Sequence, residues 1–345
     1  KRIAPSYDGP VFFAKDAMTG LSLANDYFGS KRETLLAKNR EIQDFLRAEA
    51  AAPLQEGAAP VETLRIAMTH DAPPVPPDLK LHALSDFPVD EIFTYINPIM
   101  LYGKHLGLRG NLEQHLKDKN PKAIELHKRV RALQDEIIKK GLIKPKAVFK
   151  FFAVEGDKDR MNLYESPAAK SPLACFDFPR QPTGERLCLA DFVRPIGTGR
   201  DYAAMFVVTC GAGIRELSDF YRDAGEYLKS HALQAIAIEA AEGFAELLHD
   251  RLRRMWGIGD PQDTTIREKF QGKYHGIRVS FGYPACPNLE DQTILFKLLD
   301  PEKHAGVTLT DGFMMEPEAT VSALVFHHPK ARYFSVGQAA ISAAE

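Results

Sequence analysis

Apolar positions along the chain recur at two periods, and the change between them marks its elements. Apolar residues recur at helical spacing from about 17 to 28, and again through Leu36, Ile42, Phe45 and Leu46. That spacing predicts two helices, the second opened by a Ser30/Glu33 capping box. Ahead of them, Val11-Phe12-Phe13 reads as a short buried strand. An apolar stretch from Val89 through Ile92, Phe93, Tyr95 and Ile96 predicts a short helix, stopped at Asn97-Pro98 because the residue before proline avoids the helical region. Pro121 opens a longer helix whose Leu126, Val130, Leu133 and Ile137 share one face, and Gly141 closes it. The longest helix covers 232–256, with Leu233, Ile236, Ala240, Phe244, Leu247 and Leu248 on its apolar side, and 292–299 is a further helix. Between the helices lie strand-like runs at 147–154, 162–165, 174–178, 201–210, 308–315, 319–326 and 333–336, separated by Gly, Asp and Pro. Strands grouped this way predict an α+β fold, a twisted antiparallel sheet flanked by helices, rather than a parallel doubly wound sheet.

Two breaks in the pattern divide the chain. Residues 51–60 are rich in Ala, Pro and Gly, and 72–77 read Ala-Pro-Pro-Val-Pro-Pro, which favours extended chain. The division expected is residues 1–50, a linker over 51–88, and a main domain over 89–338. One strand and two helices cannot close a core, so residues 1–50 read as the end of a domain whose beginning is missing.

Composition narrows the partners. A net charge of -2 gives no field for nucleic acid. The apolar runs fall short of the ~18 residues that span a bilayer, so no membrane partner is expected. Cys175, Cys188, Cys210 and Cys286 are scattered without CxxC spacing, which predicts neither a metal site nor a disulfide framework. A monomer in the reducing cytoplasm fits these features.

Three stretches carry candidate chemistry. Residues 201–210 run into Gly211-Ala212-Gly213 as a dinucleotide fingerprint would, but Glu216 stands where the third glycine belongs and no second strand with an acid follows. On the longest helix, Glu242, Glu246 and His249 share a face as a solvated stripe or a functional one; Glu246 and His249 read as structural hydrogen-bonding residues. The segment Arg278-Val279-Ser280-Phe281-Gly282-Tyr283-Pro284-Ala285-Cys286-Pro287 surrounds one fixed charge with conformationally special residues. Its prolines fix φ and remove donors, and Gly282 opens backbone shapes closed to other residues. Such a ledge is either a tight turn with a solvated arginine or a platform on which Arg278 presents a planar fork to a carboxylate or phosphate.

Arg-x-x-x-Gly-Tyr-Pro-Ala-Cys-Pro resembles the S-adenosylmethionine-binding signature of the activation domain of cobalamin-dependent methionine synthases. Further matches follow in that family's order: Cys188-Leu189-Ala190-Asp191-Phe192-Val193, Phe244-Ala245-Glu246 with Leu248-His249 and Arg251, Glu302-Lys303-His304, and Phe326 with His328-Pro329. The resemblance spans roughly 89–338. It implies reductive methylation of cobalamin oxidised to cob(II)alamin, with S-adenosylmethionine as methyl donor and a flavodoxin-like or flavoprotein electron donor. It implies a ligand site of Asn97, Glu242, Arg278, Ser280, Gly282, Tyr283, Tyr333 and Phe334, with Arg278 on the carboxylate, Tyr333 and Phe334 lining the adenosine side, and Tyr283 facing the corrin. No residue is expected to act as acid or base. Residues 1–50 would be the strand-helix remnant of an α/β domain, the end of the cobalamin-binding domain, which is the partner on which the activation domain acts. Cobalamin would sit in that largely missing neighbour, and zinc only in another absent domain, since this chain has neither a Cys-Cys pair nor an Asp-x-His-x-x-Gly motif. The chain by itself is not expected to make methionine. Where relatives carry Tyr-Ile-Asp, Tyr95-Ile96-Asn97 places an amide instead of a carboxylate. The alternatives are an ordinary S-adenosylmethionine-dependent methyltransferase and a sensing or docking module that transfers nothing.

Overall fold

The computed structural model describes residues 7, 9–12, 17–51 and 72–337, and the chain divides into two compact units, Lys1–Thr63 and Leu64–Glu345. In the first unit, helices α1 (Ala17–Phe28) and α2 (Arg32–Ala51) form where the periodicity places them. The strand expected at 11–13 is absent as far as Phe12, and Phe13 lies outside the described residues. Side chains of α2 hold the extended segment instead. Asn39 Nδ2 donates to the Val11 carbonyl at 2.6 Å, Gln43 Nε2 to Gly9 at 3.1 Å, and Arg47 Nη2 to Tyr7 at 2.8 Å. Four helical residues rise about 6 Å and two extended residues about 6.6 Å, so every fourth side chain meets every second carbonyl. Most of the expected linker, residues 52–71, lies outside the described residues.

The second unit is built on one sheet of seven strands: β1 (His82–Ser85), β2 (Lys146–Asp157), β3 (Arg160–Tyr164), β4 (Ala174–Asp177), β5 (Asp201–Thr209), β6 (Ile277–Val279) and β9 (Thr320–Phe326). The order is β4-β3-β2-β5-β9-β6, with β1 also on β2, and each of these pairings is antiparallel. The α+β expectation holds.

Alternation along the strands feeds two cores. Phe149 and Phe151 of β2, Ala204, Phe206 and Val208 of β5, and Val321, Ala323 and Val325 of β9 face one side. Their neighbours Val148, Phe152, Ala203, Met205, Val207, Leu324 and Phe326 face the other. The first face is covered by α3 (Val89–Phe93), α5 (Pro121–Lys140) and above all α7 (Tyr227–Met255), whose Leu233, Ile236, Phe244, Leu248 and Leu252 are buried there. Asn120 caps α5 through the Ala123 amide, and Gly141 ends it at φ 59°. α4 (Leu112–Lys117) precedes α5, α6 (Ile214–Asp223) packs beside α7, and α8 (Ile266–Phe270) follows it. The second face is covered by α9 (Gln292–Leu299), α10 (Pro301–Ala305) and the irregular chain around Phe281, Ala285 and Cys286.

Several expectations are corrected. Residues 72–88, read as linker, belong to this unit: β1 pairs with β2, Phe87 is buried in the first core, and Trp256 Nε1 donates to the Pro74 carbonyl at 2.8 Å. The run 308–315 is a hairpin of two short strands, β7 (Thr308–Leu309) and β8 (Met315–Glu316), because Asp311-Gly312 turns the chain. Residues 333–336 form no strand; Val336 is tied instead by its amide to the Pro284 carbonyl at 3.0 Å. The Gly211-Ala212-Gly213 turn is a packing feature, since a Cβ at Gly211 would lie 2.7 Å from Pro317. No described helix is long and apolar enough to cross a membrane.

Candidate functional site

Arg278 is aimed by strand periodicity. Ile277 and Val279 are buried in the second core, so Arg278 between them must project from the opposite face of edge strand β6, toward α7. There it meets two carboxylates one helical turn apart: Nη1 lies 3.8 Å from Glu242 Oε2, and Nη2 lies 3.5 Å from Glu246 Oε2. The two acids differ in environment. The Glu242 side chain is 45% exposed and that of Glu246 10%, with Arg278 itself at 16%. Neither contact is short, and Arg278 Nε is buried without a hydrogen-bond partner in the protein. A guanidinium carries five donors, and this one spends few of them. The donor set therefore fits a planar anion such as a carboxylate.

Beyond Val279 the chain leaves the sheet and forms the ledge. Gly282 has φ +81°, a backbone conformation that favours glycine, and a Cβ there would also push aside the tip of the Leu289 side chain, 2.8 Å away. Its amide bonds the Cys286 carbonyl at 2.8 Å, and the Cys286 amide returns to Tyr283 at 2.9 Å. This tight loop buries Phe281, Ala285 and Cys286 in the second core while Ser280, Gly282 and Tyr283 stay accessible. The Tyr283 ring is 53% exposed, and the Glu242 charge, then burial, pushes its phenol up while Arg278 opposes. Tyr333 stands beside it, 52% exposed; burial pushes its phenol up, opposed by the Ala285 main chain bonded to it.

Arg278, Glu242, Ser280, Gly282, Tyr283 and Tyr333 thus come together at one sheet edge. Phe334 does not: it is 7% exposed and packs on Phe192 in the second core, with ring centroids 6.0 Å apart. Tyr333 and Phe334 point apart because successive residues of extended chain face opposite ways. Asn97 follows a turn whose backbone packs closely on α7 at Gly243. A Cβ on Gly243 would lie 3.1 Å from the Ile92 carbonyl oxygen, so a larger residue there would press the α3 turn back from α7. The Asn97 Oδ1, however, accepts the Ile99 amide at 3.0 Å and so caps the turn that follows Pro98 rather than ending the one before it.

A buried polar stripe continues behind the site. Glu246, His249, Asp250 and Arg253 recur at i, i+3, i+4 and i+7 on α7. Arg253, fully buried, reaches Asp260 Oδ2 at 2.6 Å and lies over the Tyr274 ring. Asp250 takes Lys269 Nζ at 3.1 Å and the Tyr95 hydroxyl at 3.2 Å. Both ring nitrogens of His249 lack a protein partner, and burial, then Arg253 and Arg278, holds the imidazole uncharged. The sequence pattern singles out this stripe only as far as His249. The signal for the rest lies in the further charged residues at helical spacing on an otherwise apolar helix.

The fold and the site define an α+β protein with a sheet-edge arginine held between two carboxylates. Residues 88–343 match the family described as vitamin B12 dependent methionine synthase, activation domain. The chain belongs to that family. It is 31% identical to the methionine synthase of Mycobacterium leprae over 97% of this chain but 30% of that protein, so it spans about a third of the relative's length. Among solved structures, the MetH reactivation domain bound to AdoHcy is similar at TM-score 0.74 and 29% identity, covering 78% of this chain and 84% of that one.

Proposed function

We propose that this chain binds S-adenosylmethionine at the edge of the sheet and presents its methyl group to a cobalamin carried by a neighbouring domain of the same protein, so reactivating oxidised cofactor. The observation that carries this reading is the under-used, largely buried fork of Arg278, held between Glu242 and Glu246 beside the Gly282-Tyr283 ledge. Binding of AdoHcy by the similar reactivation domain supports it.

Arg278 takes the ligand carboxylate. Glu242, exposed next to it, and Asn97 face the ammonium end, while main-chain groups at Ser280 and Gly282 and the Tyr333 ring hold the nucleoside. Phe334 supports Tyr333 from the core without touching the ligand. Bound S-adenosylmethionine supplies a methyl group on a sulfonium, an excellent leaving group, so the chain's residues contribute position rather than acid or base. Tyr283, the exposed aromatic of the ledge, faces the corrin. Residues 1–50 are the end of the cobalamin-binding domain, zinc belongs to a further domain, and a flavodoxin-like protein supplies the electron. The protein acts in the cytoplasm as a monomer.

Calorimetry with S-adenosylmethionine tests the site. Wild-type chain binds, and Arg278→Ala loses ~1.5 to 3 kcal/mol of affinity, the range for charge-assisted bonds. Unchanged affinity in that variant removes Arg278 from the site. Adding a cobalamin-loaded domain, a reductant and methyl-labelled ligand tests the transfer: binding without labelled cobalamin leaves a sensing module. With transfer established, Tyr283→Ala should slow it more than it weakens binding, and equal effects on both reduce the ring to packing.

A further inference from the structure

Glu246 makes none of the ligand contacts proposed above, yet it stands directly behind them. It is the buried member of the two acids that share Arg278, and its Oε1 has no hydrogen-bond partner in the protein. The charged and titratable groups facing it are Arg278 from β6, Glu242, His249 and Arg253 from its own helix, Lys269 from α8, and Tyr274 from the chain that follows. Most of these are already engaged. Arg253 is paired with Asp260 and Lys269 with Asp250, and His249 is held uncharged. Arg278, at 3.5 Å, is the one cation in direct contact with the Glu246 carboxylate among the described residues.

A ligand carboxylate docking on the Arg278 fork brings another anion to the same guanidinium. Like charges sharing one site disfavour joint ionisation, and the group that cannot regain water is the one that protonates. Glu242 is open to solvent; Glu246 is not.

We propose that Glu246 is a positioning residue that takes up a proton from solvent when a ligand carboxylate engages Arg278, so that ligand binding and protonation are coupled. The proposal rests on the reading of Arg278 as the carboxylate anchor. Burial already lifts the Glu246 carboxyl above its ordinary 4.5, with Arg278 and then Arg253 opposing. Ligand binding weakens the opposition from Arg278, so the bound form holds the proton more tightly than the free form. Affinity is therefore constant below the free-state value and falls as pH rises through the interval between free and bound values.

The test is calorimetric titration of the full chain with S-adenosylhomocysteine from about pH 5 to 8, in two buffers of different ionisation enthalpy at each pH. The expected result is net uptake approaching one proton per ligand, with affinity falling by up to about tenfold per pH unit inside the interval. Glu246→Gln should abolish the uptake and flatten the profile. Methylthioadenosine, which lacks the carboxylate, should bind wild-type chain without proton uptake, a measurement that stands even if Glu246→Gln does not fold. Binding of S-adenosylhomocysteine without uptake overturns the coupling alone, as does equal uptake in Glu246→Gln or with methylthioadenosine. A wild-type chain that binds no S-adenosylhomocysteine at any pH overturns both the coupling and the ligand reading beneath it.

Discussion

At the scale of single residues, the site depends on which carboxylates keep their water. Read as a solvated turn residue, Arg278 would be removable without loss of stability; buried against Glu246, it is not. Arg278→Ala strands a carboxylate that is 10% exposed, and chemical denaturation should show a loss of about 1–3 kcal/mol near neutral pH, shrinking as acid protonates Glu246. Asn97 has a structural duty besides any ligand contact. Asn97→Ala should cost about 1 kcal/mol as a lost cap. Asn97→Asp keeps the cap, and it should tighten S-adenosylmethionine in a salt-sensitive way if the partner is the ammonium. Asp291, next to the ledge, has an Oδ2 buried without a partner, and burial pushes its carboxyl up to about 6 from 3.8. The folded state then holds that proton more tightly than the unfolded chain, so this group's contribution to stability rises as pH falls from about 6 to about 4. Asp291→Asn should raise the melting temperature at about pH 7.5, with the gain vanishing below about pH 4.

At the scale of elements, one close approach sets where the Asn97 turn lies. Gly243→Ala gains helix propensity of up to about 1 kcal/mol, but its Cβ meets Ile92 and Tyr95 backbone at 3.1 Å. Backbone yields less readily than side-chain ends, so overpacking of about 1–3 kcal/mol should prevail. Denaturation should show net destabilisation and calorimetry a weaker ligand, because the Asn97 turn moves off α7. Helices and long strands were legible from periodicity because each buries one continuous face. The strands that periodicity missed, β1 and β6, are short, as are the helices α4, α8 and α10 that it also missed. Three or four residues carry too little alternation to separate a strand from a loop, and pairing with β2 and β9 alone makes β1 and β6 strands. The reverse failure is 333–336, which alternates like a strand but has no ladder partner among the described residues.

At the scale of the whole molecule, the sheet unit takes in the proline-rich stretch at 72–77 rather than beginning after it. A chain starting at Ala72 should unfold cooperatively and bind S-adenosylhomocysteine like the full chain. One starting at Val89 loses β1, Phe87 and the Pro74 acceptor of the buried Trp256 indole. The orphaned indole N–H alone costs about 1–3 kcal/mol, so circular dichroism should show a clearly lower melting temperature. Equal stability of the two fragments would return 72–88 to the status of linker.

The sequence by itself determined the class of sheet, the long helices, the ledge at 278–287 and the family. These rest on local periodicity, on the fixed φ of proline and the freedom of glycine, and on a motif contiguous in the chain. Tertiary structure alone decided which acids meet Arg278 and which of a neighbouring aromatic pair reaches the ledge. It also decided that Asn97 caps a turn and that Glu246 lies behind the site without solvent. Those outcomes depend on burial and on which face a side chain takes once strands have paired, and both are set by contacts between residues far apart in sequence.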